Sequence, residues 1–302
     1  MTVVVLAGGT GGAKLARGML DVAGDELVVI ANTGDDVEIY GAYVSPDPDL
    51  CAFWLADRID ERGWGLRDDT FHVMDGLREL GVPVWFNLGD RDLAFGLRRA
   101  ELLSRGARLT EAIAELTRAL GLRARVLPMS DHPVRTWVFA RGAWTPFQEF
   151  MIQHRAAGPV DGVDFRGADA AAPPPEALQA IADARAIVIG PSNPVISIGP
   201  ILAVPGMRDA LRSAAAPVVA VSPLVGGEVL KGPTADFMAW TGRPANAAGV
   251  AALLGDVLDG MVCDEPDAGG LPVLQTDTLM ADADGRRRVA EAALGFAEAL
   301  RD

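Results

Sequence analysis

The chain has 302 residues, half of them apolar and few aromatic, enough to bury one large α/β core or a domain with a sizeable insertion. Its formal net charge of −14 argues against nucleic-acid binding, which asks for a basic face, while anionic substrates stay open because local cations decide them. Two isolated cysteines, Cys51 and Cys263, lack metal-ligand spacing and suggest no disulfide framework, which fits a reducing cytoplasm.

In chain order, MTVVVLAGGTGGAKLARGML reads as a strand from Val3 to Leu6, a glycine turn from Gly8 to Gly12, and a helix over Lys14 to Leu20. That order aims backbone N–H groups at a phosphate. Neither standard motif is met: Leu15 stands where a P-loop carries its hydroxyl, and a dinucleotide fingerprint begun at Gly9 needs glycine where Lys14 stands. Glycine turns also serve packing alone, where φ is positive or helix and strand approach closely. With the first strand carrying the loop itself, no cleavable signal is expected. The apolar stretch PVISIGPILAVPG is broken by prolines and glycines and is not read as a membrane span.

ELVVIANTGDD supplies a second buried strand, Leu27 to Ala31. It leaves Asn32, Thr33, Asp35 and Asp36 past a carboxyl end, where ligands of open α/β sheets bind. In YVSPDPDLC, Asp47 and Asp49 lie two apart. In an extended segment both would face one Mg²⁺ or one substrate hydroxyl; alternatively Asp49 caps the helix that follows. Between Leu50 and about Leu122 the apolar spacing is helical, with breaks at Gly63–Trp64–Gly65 and Gly89. Within it, NLGDRDLA offers Arg91 as a clamp for a phosphate or carboxylate, against the plainer reading of a helix start.

RARVLPMS and TWVFARGAWTPFQEFMIQ read as strands, the latter with a turn at Arg141–Gly142. Ser130, Asp131 and His132 are neighbours in sequence and lack the nucleophile elbow of a hydrolase triad. A helix from Glu176 to Ala184 and a strand from Ala186 to Ile189 follow, ending in the stiff loop Gly190–Pro191–Ser192–Asn193. This loop suits anion contact or a structural turn. A strand at Val218 to Val221 and a closing helix in RRRVAEAALGFAEAL complete the pattern. The expected architecture is α/β: a Rossmann-like, doubly wound, mainly parallel sheet over 1–49 and 156–302, with a smaller, mostly helical insertion over 50–155.

The segments GGTGGAKL, NTGDD, VSPDPD, RGWGLRDDTF, LGDRDLA, LPMSDHPVRT, FQEFMI, GPSNPVISIGPIL and DTLM occur here in an order that resembles the CofD/FbiA family. These are 2-phospho-L-lactate or phosphoenolpyruvate transferases of deazaflavin coenzyme F(420) biosynthesis. The resemblance implies that a guanosine-diphosphate-linked three-carbon acid is transferred to the ribityl hydroxyl of the deazaflavin Fo, with GMP leaving. It implies Gly9, Thr10, Gly11, Gly12, Lys14, Asn32, Ser192 and Asn193 at the donor nucleotide. It further implies Mg²⁺ on Asp47 or Asp49, Fo near Asp49 and Arg91, and a homodimer. On this reading Asp47, Asp49 and Arg91 are the catalytic candidates, and Asp49→Ala and Arg91→Ala abolish turnover with the melting temperature nearly unchanged. The sequence is also similar to the YvcK-like family, a regulatory sugar-nucleotide binder without turnover. An NAD(P)-dependent oxidoreductase stays open by the spacing of Asp35 and Asp36, and the absent glycine at position 14 counts against it.

Overall fold

Runs such as Thr2–Ala7, Leu27–Ala31 and Ala184–Ile189 are almost continuously apolar because helices cover both faces of the strands they form. The computed structural model describes residues 1–229 and 232–301. Seven parallel strands make the main sheet: β1 (Thr2–Ala7), β2 (Leu27–Ala31), β3 (Arg125–Pro128), β4 (Ala184–Ile189), β5 (Val218–Val221), β6 (Gly260–Cys263) and β7 (Val273–Gln275). Their spatial order is 3-2-1-4-5-6-7, so the chain winds outward one way from β1 and then the other way from β4. This is the doubly wound α/β arrangement, and its crevice lies where the direction switches, between the carboxyl ends of β1 and β4.

The period-2 alternation of each strand divides the core. Val4, Leu6, Val28, Ile30, Ile187 and Ile189 pack on one face, and Val3, Val5, Val29, Val126, Val188 and Val219 on the other. The second face is covered by α1 (Gly9–Ala23), α2 (Pro46–Leu55), the later helix α5 (Leu109–Ala119) and the C-terminal helix Ala283–Arg301. Gly18 of α1 lets the C-terminal helix come close, since a Cβ there would stand 2.2 Å from the Arg286 carbonyl oxygen.

Two smaller units flank the sheet. A hairpin (Val37–Ile39 with Ala42–Val44) packs with α3 (His72–Glu79) and α4 (Asp90–Ser104) around Met74, Leu88 and Leu93. A three-stranded antiparallel sheet combines Arg135–Ala140, Ala143–Pro146 and Val160–Arg166, turning at Arg141–Gly142 where both residues have positive φ. The boundaries expected at 50 and 155 therefore do not match the packing. β3 belongs to the main sheet although it lies within 50–155, and Val160–Arg166 pairs away from that sheet although it lies beyond 155. Short strands of similar composition look alike until their hydrogen-bonding partners are known. Among the described residues no helix is long and apolar enough to cross a membrane.

Gly18→Ala is expected to lower stability by roughly 1–3 kcal/mol, because the added methyl meets backbone rather than a side chain that can turn away. Thermal denaturation checks this; an unchanged midpoint would mean that the two helices do not approach as described.

Candidate functional site

The switch point brings the two glycine-bearing loops into contact. α1 begins directly at Gly9, with Gly8 as its N-cap and no acidic residue in its first turn. A Cβ on Gly11 would lie 2.0 Å from the Pro191 carbonyl oxygen, and one on Gly12 would lie 2.6 Å from Ser192 Oγ. These two glycines thus let the first turn of α1 press against the loop after β4. Gly9 has φ +62°, the left-handed region that favours glycine. The Gly8 N–H donates to Ser192 Oγ at 3.2 Å.

Asp47 ties this corner to the rest of the crevice. Its Oδ1 accepts the Gly9 N–H at 2.8 Å and its Oδ2 accepts Asn32 Nδ2 at 2.9 Å. Asn32, fully buried, in turn accepts the Gly34 N–H at 2.7 Å. One carboxylate therefore joins the start of α1, the loop after β2 and the start of α2. A carboxylate facing a helix N-terminus is also electrostatically favoured.

The PDPD part of this segment is helical, not extended: Ser45 is the N-cap, Pro46 opens α2, and Asp47 and Asp49 both lie in its first turn. Proline at that position is compatible because the missing N–H has no helical partner to serve. Residues two apart on a helix point to different sides, so Asp47 and Asp49 do not converge on one ion and Asp49 is not the cap. Asp49 instead meets Arg99 of α4: NH1 donates to Oδ2 at 3.1 Å and NH2 to Oδ1, while NH1 also donates to the Tyr43 carbonyl at 2.9 Å. Arg99 is fully buried. It occupies the apolar stripe that runs through Leu93 and Gly96, and an arginine at such a position was the signal that a buried partner existed.

Arg91 does not join Asp49; it lies eight residues before Arg99, roughly 12 Å of helical rise away. Its NH1 reaches the Arg67 carbonyl at 3.4 Å, and it lines a cavity of about 460 Å³ with Arg58, Arg67 and Phe95. Within the same segment Asp90 accepts the N–H groups of His72 and Val73 at the start of α3, and Asp69 accepts those of Arg91 and Asp92 at the start of α4. Asp69 of RDDTF and Asp90 of GDRD thus cap each other's helices reciprocally.

The other expected donor-site residues divide by what their side chains do. Lys14 Nζ donates to the Met280 carbonyl at 3.2 Å, 5.9 Å from the centre of the Trp54 ring. Asn193 folds its own loop: Oδ1 accepts the Val195 and Ile196 N–H groups, and Nδ2 donates to Thr234 Oγ1 at 3.2 Å. Thr10 stands in the first turn of α1, with its methyl facing Gly63 of the RGWGL loop. No triad forms at 130–132, because Asp131 accepts the Thr110 N–H and Oγ1 at 2.7 and 2.8 Å and pairs with Arg108.

Buried carboxylates crowd the crevice. Asp35 is pushed well above the usual carboxylate range by burial and by Asp47 beside it. Burial also raises Asp36 to about 7, against the pull of Arg135, and Asp47 to about 6, against its hydrogen bonds from Gly9 and Asn32. Asp36 Oδ1 accepts Ser45 Oγ at 2.8 Å, while Asp36 Oδ2 and Asp35 Oδ1 are buried without a hydrogen-bond partner. Among the described residues no group of three His, Cys, Asp or Glu side chains is arranged to hold a metal. The hard oxygen donors present fit Mg²⁺ where one or two carboxylates are supplemented by substrate phosphates, the way this ion is commonly bound.

A family model described as 2-phospho-L-lactate transferase CofD matches residues 3–277. A phosphoenolpyruvate transferase of Kitasatospora aureofaciens is 41% identical over 318 residues, covering 100% of this chain and 99% of the relative. A 2-phospho-L-lactate transferase of Methanosarcina mazei is 38% identical over 299 residues, covering 96% and 98%. Among solved structures, a protein of the UPF0052 family from Bacillus halodurans superposes with a TM-score of 0.64 at 20% identity, covering 97% of this chain and 98% of that one; this likeness bears on fold alone.

Asp49→Ala leaves the Arg99 guanidinium buried and unpaired, and is expected to cost about 3–5 kcal/mol. The stability expected from sequence for that variant is revised accordingly; chemical denaturation measures it. A second prediction concerns pH. Between the ordinary carboxylate range and about pH 7, folded Asp36 and Asp47 hold protons that the unfolded chain has released, so stability falls as pH rises. The melting temperature should drop from about pH 5 to about pH 8, and Asp36→Asn should flatten that slope.

Proposed function

This chain belongs to the CofD family of 2-phospho-L-lactate transferases, and on that premise we propose that it transfers a phospholactyl or phosphoenolpyruvyl group to deazaflavin Fo. It is a transferase of coenzyme F(420) biosynthesis, of the phospholactate or phosphoenolpyruvate type. In the proposed reaction the donor is the acid linked to guanosine diphosphate. The ribityl hydroxyl oxygen bonds to the phosphorus bearing the acid, the bond from that phosphorus to GMP breaks, and GMP leaves with the electron pair. The hydroxyl proton is released to solvent water, since Asp35 and Asp47 are the carboxylates that would hold Mg²⁺.

The observation that carries this reading is the Asp47 clamp at the switch point. It fixes the N-terminus of α1, whose remaining first-turn N–H groups would face a diphosphate, beside buried carboxylates that can meet an acceptor hydroxyl. Phosphoryl transfer needs such positioning and charge neutralisation more than covalent help. Asp47 and Asp35 are the residues that would hold Mg²⁺, which when bound supplies positive charge to the diphosphate and the transferring phosphorus. Asp49 pairs with Arg99 and Arg91 lines the Arg58–Arg67 cavity, so this reading rests on Asp35 and Asp47 rather than on those two. A cytoplasmic homodimer completes the proposal.

Mixing the protein with Fo, Mg²⁺ and each guanosine-diphosphate-linked acid in turn, with mass spectrometry of the products, is the test. The phosphodiester of Fo and GMP should appear together with one donor, disappear with a chelator, and fall at least about 100-fold with Asp47→Asn. Absence of product with both donors would refute the reading, and binding of a uridine-sugar nucleotide without turnover would favour a regulatory protein.

A further inference from the structure

A ribbon over 58–67 brings the RGWGL segment to the glycine loop. Its stem is anchored: Ile59 and Leu66, both buried, face each other across an antiparallel bridge, and the Arg67 N–H donates to the Arg58 carbonyl at 2.9 Å. Asp60 closes the tip, its N–H donating to the Gly65 carbonyl at 3.0 Å and its carbonyl accepting the Gly63 N–H at 2.9 Å. Gly63 and Gly65 have φ +85° and +71°, the left-handed region this turn requires. A Cβ on Gly63 would lie 3.7 Å from the Thr10 methyl, so the tip rests against the first turn of α1.

Two side chains at this tip do not contribute to the core. Trp64 is 54% exposed, although indoles are on average largely buried. Arg62 lies over its ring, 4.4 Å from the centre. The Arg62 Nε donates to Asp60 Oδ1 at 2.6 Å, and its backbone N–H donates to the same oxygen at 3.0 Å. The guanidinium is thus held by one nitrogen and one face, and among the described residues its NH1 and NH2 make no hydrogen bond. The cations of α1 itself are directed elsewhere: Lys14 donates to the Met280 carbonyl, and Arg17 donates to Asp57 and Asp21.

We propose that Arg62 binds the carboxylate of the three-carbon acid on the donor, with NH1 and NH2 donating to its two oxygens. The inference rests on the transferase reading and deepens it. The donor spreads its negative charge over a diphosphate and a carboxylate. The first turn of α1 and Mg²⁺ serve the diphosphate, which leaves the carboxylate unmatched beside a crevice already lined by Asp35, Asp36 and Asp47. A planar fork suits a planar carboxylate. Asp60 and Trp64 fix that fork before the ligand arrives, so less rotamer freedom is lost on binding. Arg62 is then a substrate-binding residue that reads the acid and holds the phosphorus attached to it, while Asp60 and Trp64 are positioning residues. The acid lies on the side of the first turn of α1 that faces the ribbon tip.

Guanosine diphosphate has the diphosphate but not the acid, so comparing it with the complete donor tests the assignment. Steady-state kinetics of the full-length protein with Fo, Mg²⁺ and each guanosine-diphosphate-linked acid give the donor KM, and calorimetric titration gives the Kd of guanosine diphosphate. Arg62→Gln should raise the donor KM by roughly tenfold to a hundredfold, the scale of a lost charge-assisted pair, while the Kd of guanosine diphosphate stays within about twofold. Arg62→Lys, which keeps the charge and loses the fork, should recover part of that loss. Trp64→Ala should raise the donor KM by only about twofold to fivefold, since it removes the support and not the contact. The melting temperature should hold in all three variants, because the tip is exposed. An unchanged donor KM in Arg62→Gln would overturn the assignment alone. Equal weakening of donor and guanosine diphosphate would also overturn it, because it places Arg62 on the diphosphate or reports a damaged fold. Wild-type protein that turns over neither donor would sink the transferase reading, and the assignment with it.

Discussion

The Asp47 carboxylate is the contact on which the site's geometry depends. Three segments that meet nowhere in sequence end at its two oxygens: the first turn of α1 through the Gly9 N–H, the loop after β2 through Asn32, and the first turn of α2 that carries Asp47 itself. The carboxylate is buried, so each hydrogen bond it accepts offsets desolvation that would otherwise favour the neutral acid. Neighbouring Asp35 pays the remainder of this crowding, with its proton affinity raised by burial and by Asp47 together.

A second buried pair sets where the helical cap sits. Arg99 anchors α4 to α2 through Asp49 and to the hairpin through the Tyr43 carbonyl, inside a layer that is otherwise apolar. Apolar packing alone tolerates sliding of one helix along another, whereas a forked guanidinium on a carboxylate defines one register. Asp47 and Asp49 thus divide the labour of one short helix. One faces the glycine loop, and the other holds α4 and the hairpin in place.

Much of the fold was legible in the residues. Leu27–Ala31 and Val218–Val221 form strands with the bounds that their apolar runs suggest, and the Arg141–Gly142 turn appears as a tight hairpin. Strand partnership was not legible, because a run such as VDGVDFR carries no mark of which sheet it will join. Within the site, the glycine loop and the stiff loop after β4 are legible as neighbours from their positions past strand ends. Their mutual packing, which requires Gly11 and Gly12 to lack side chains, depends on distances that no spacing encodes.

The sequence by itself determined the family, the doubly wound class and the segments that supply the site, since these follow from local apolar periodicity and from motifs kept in order. Only the tertiary structure decided the role of each polar side chain. Asp47 and Asp49 look equivalent in SPDPD until the 3.6-residue helical period turns them to different neighbours, and Arg99 is one arginine among many until burial demands that its charge be matched. A side chain's chemistry is written in the sequence, but its partner is set by what the folded chain brings within three ångströms of it.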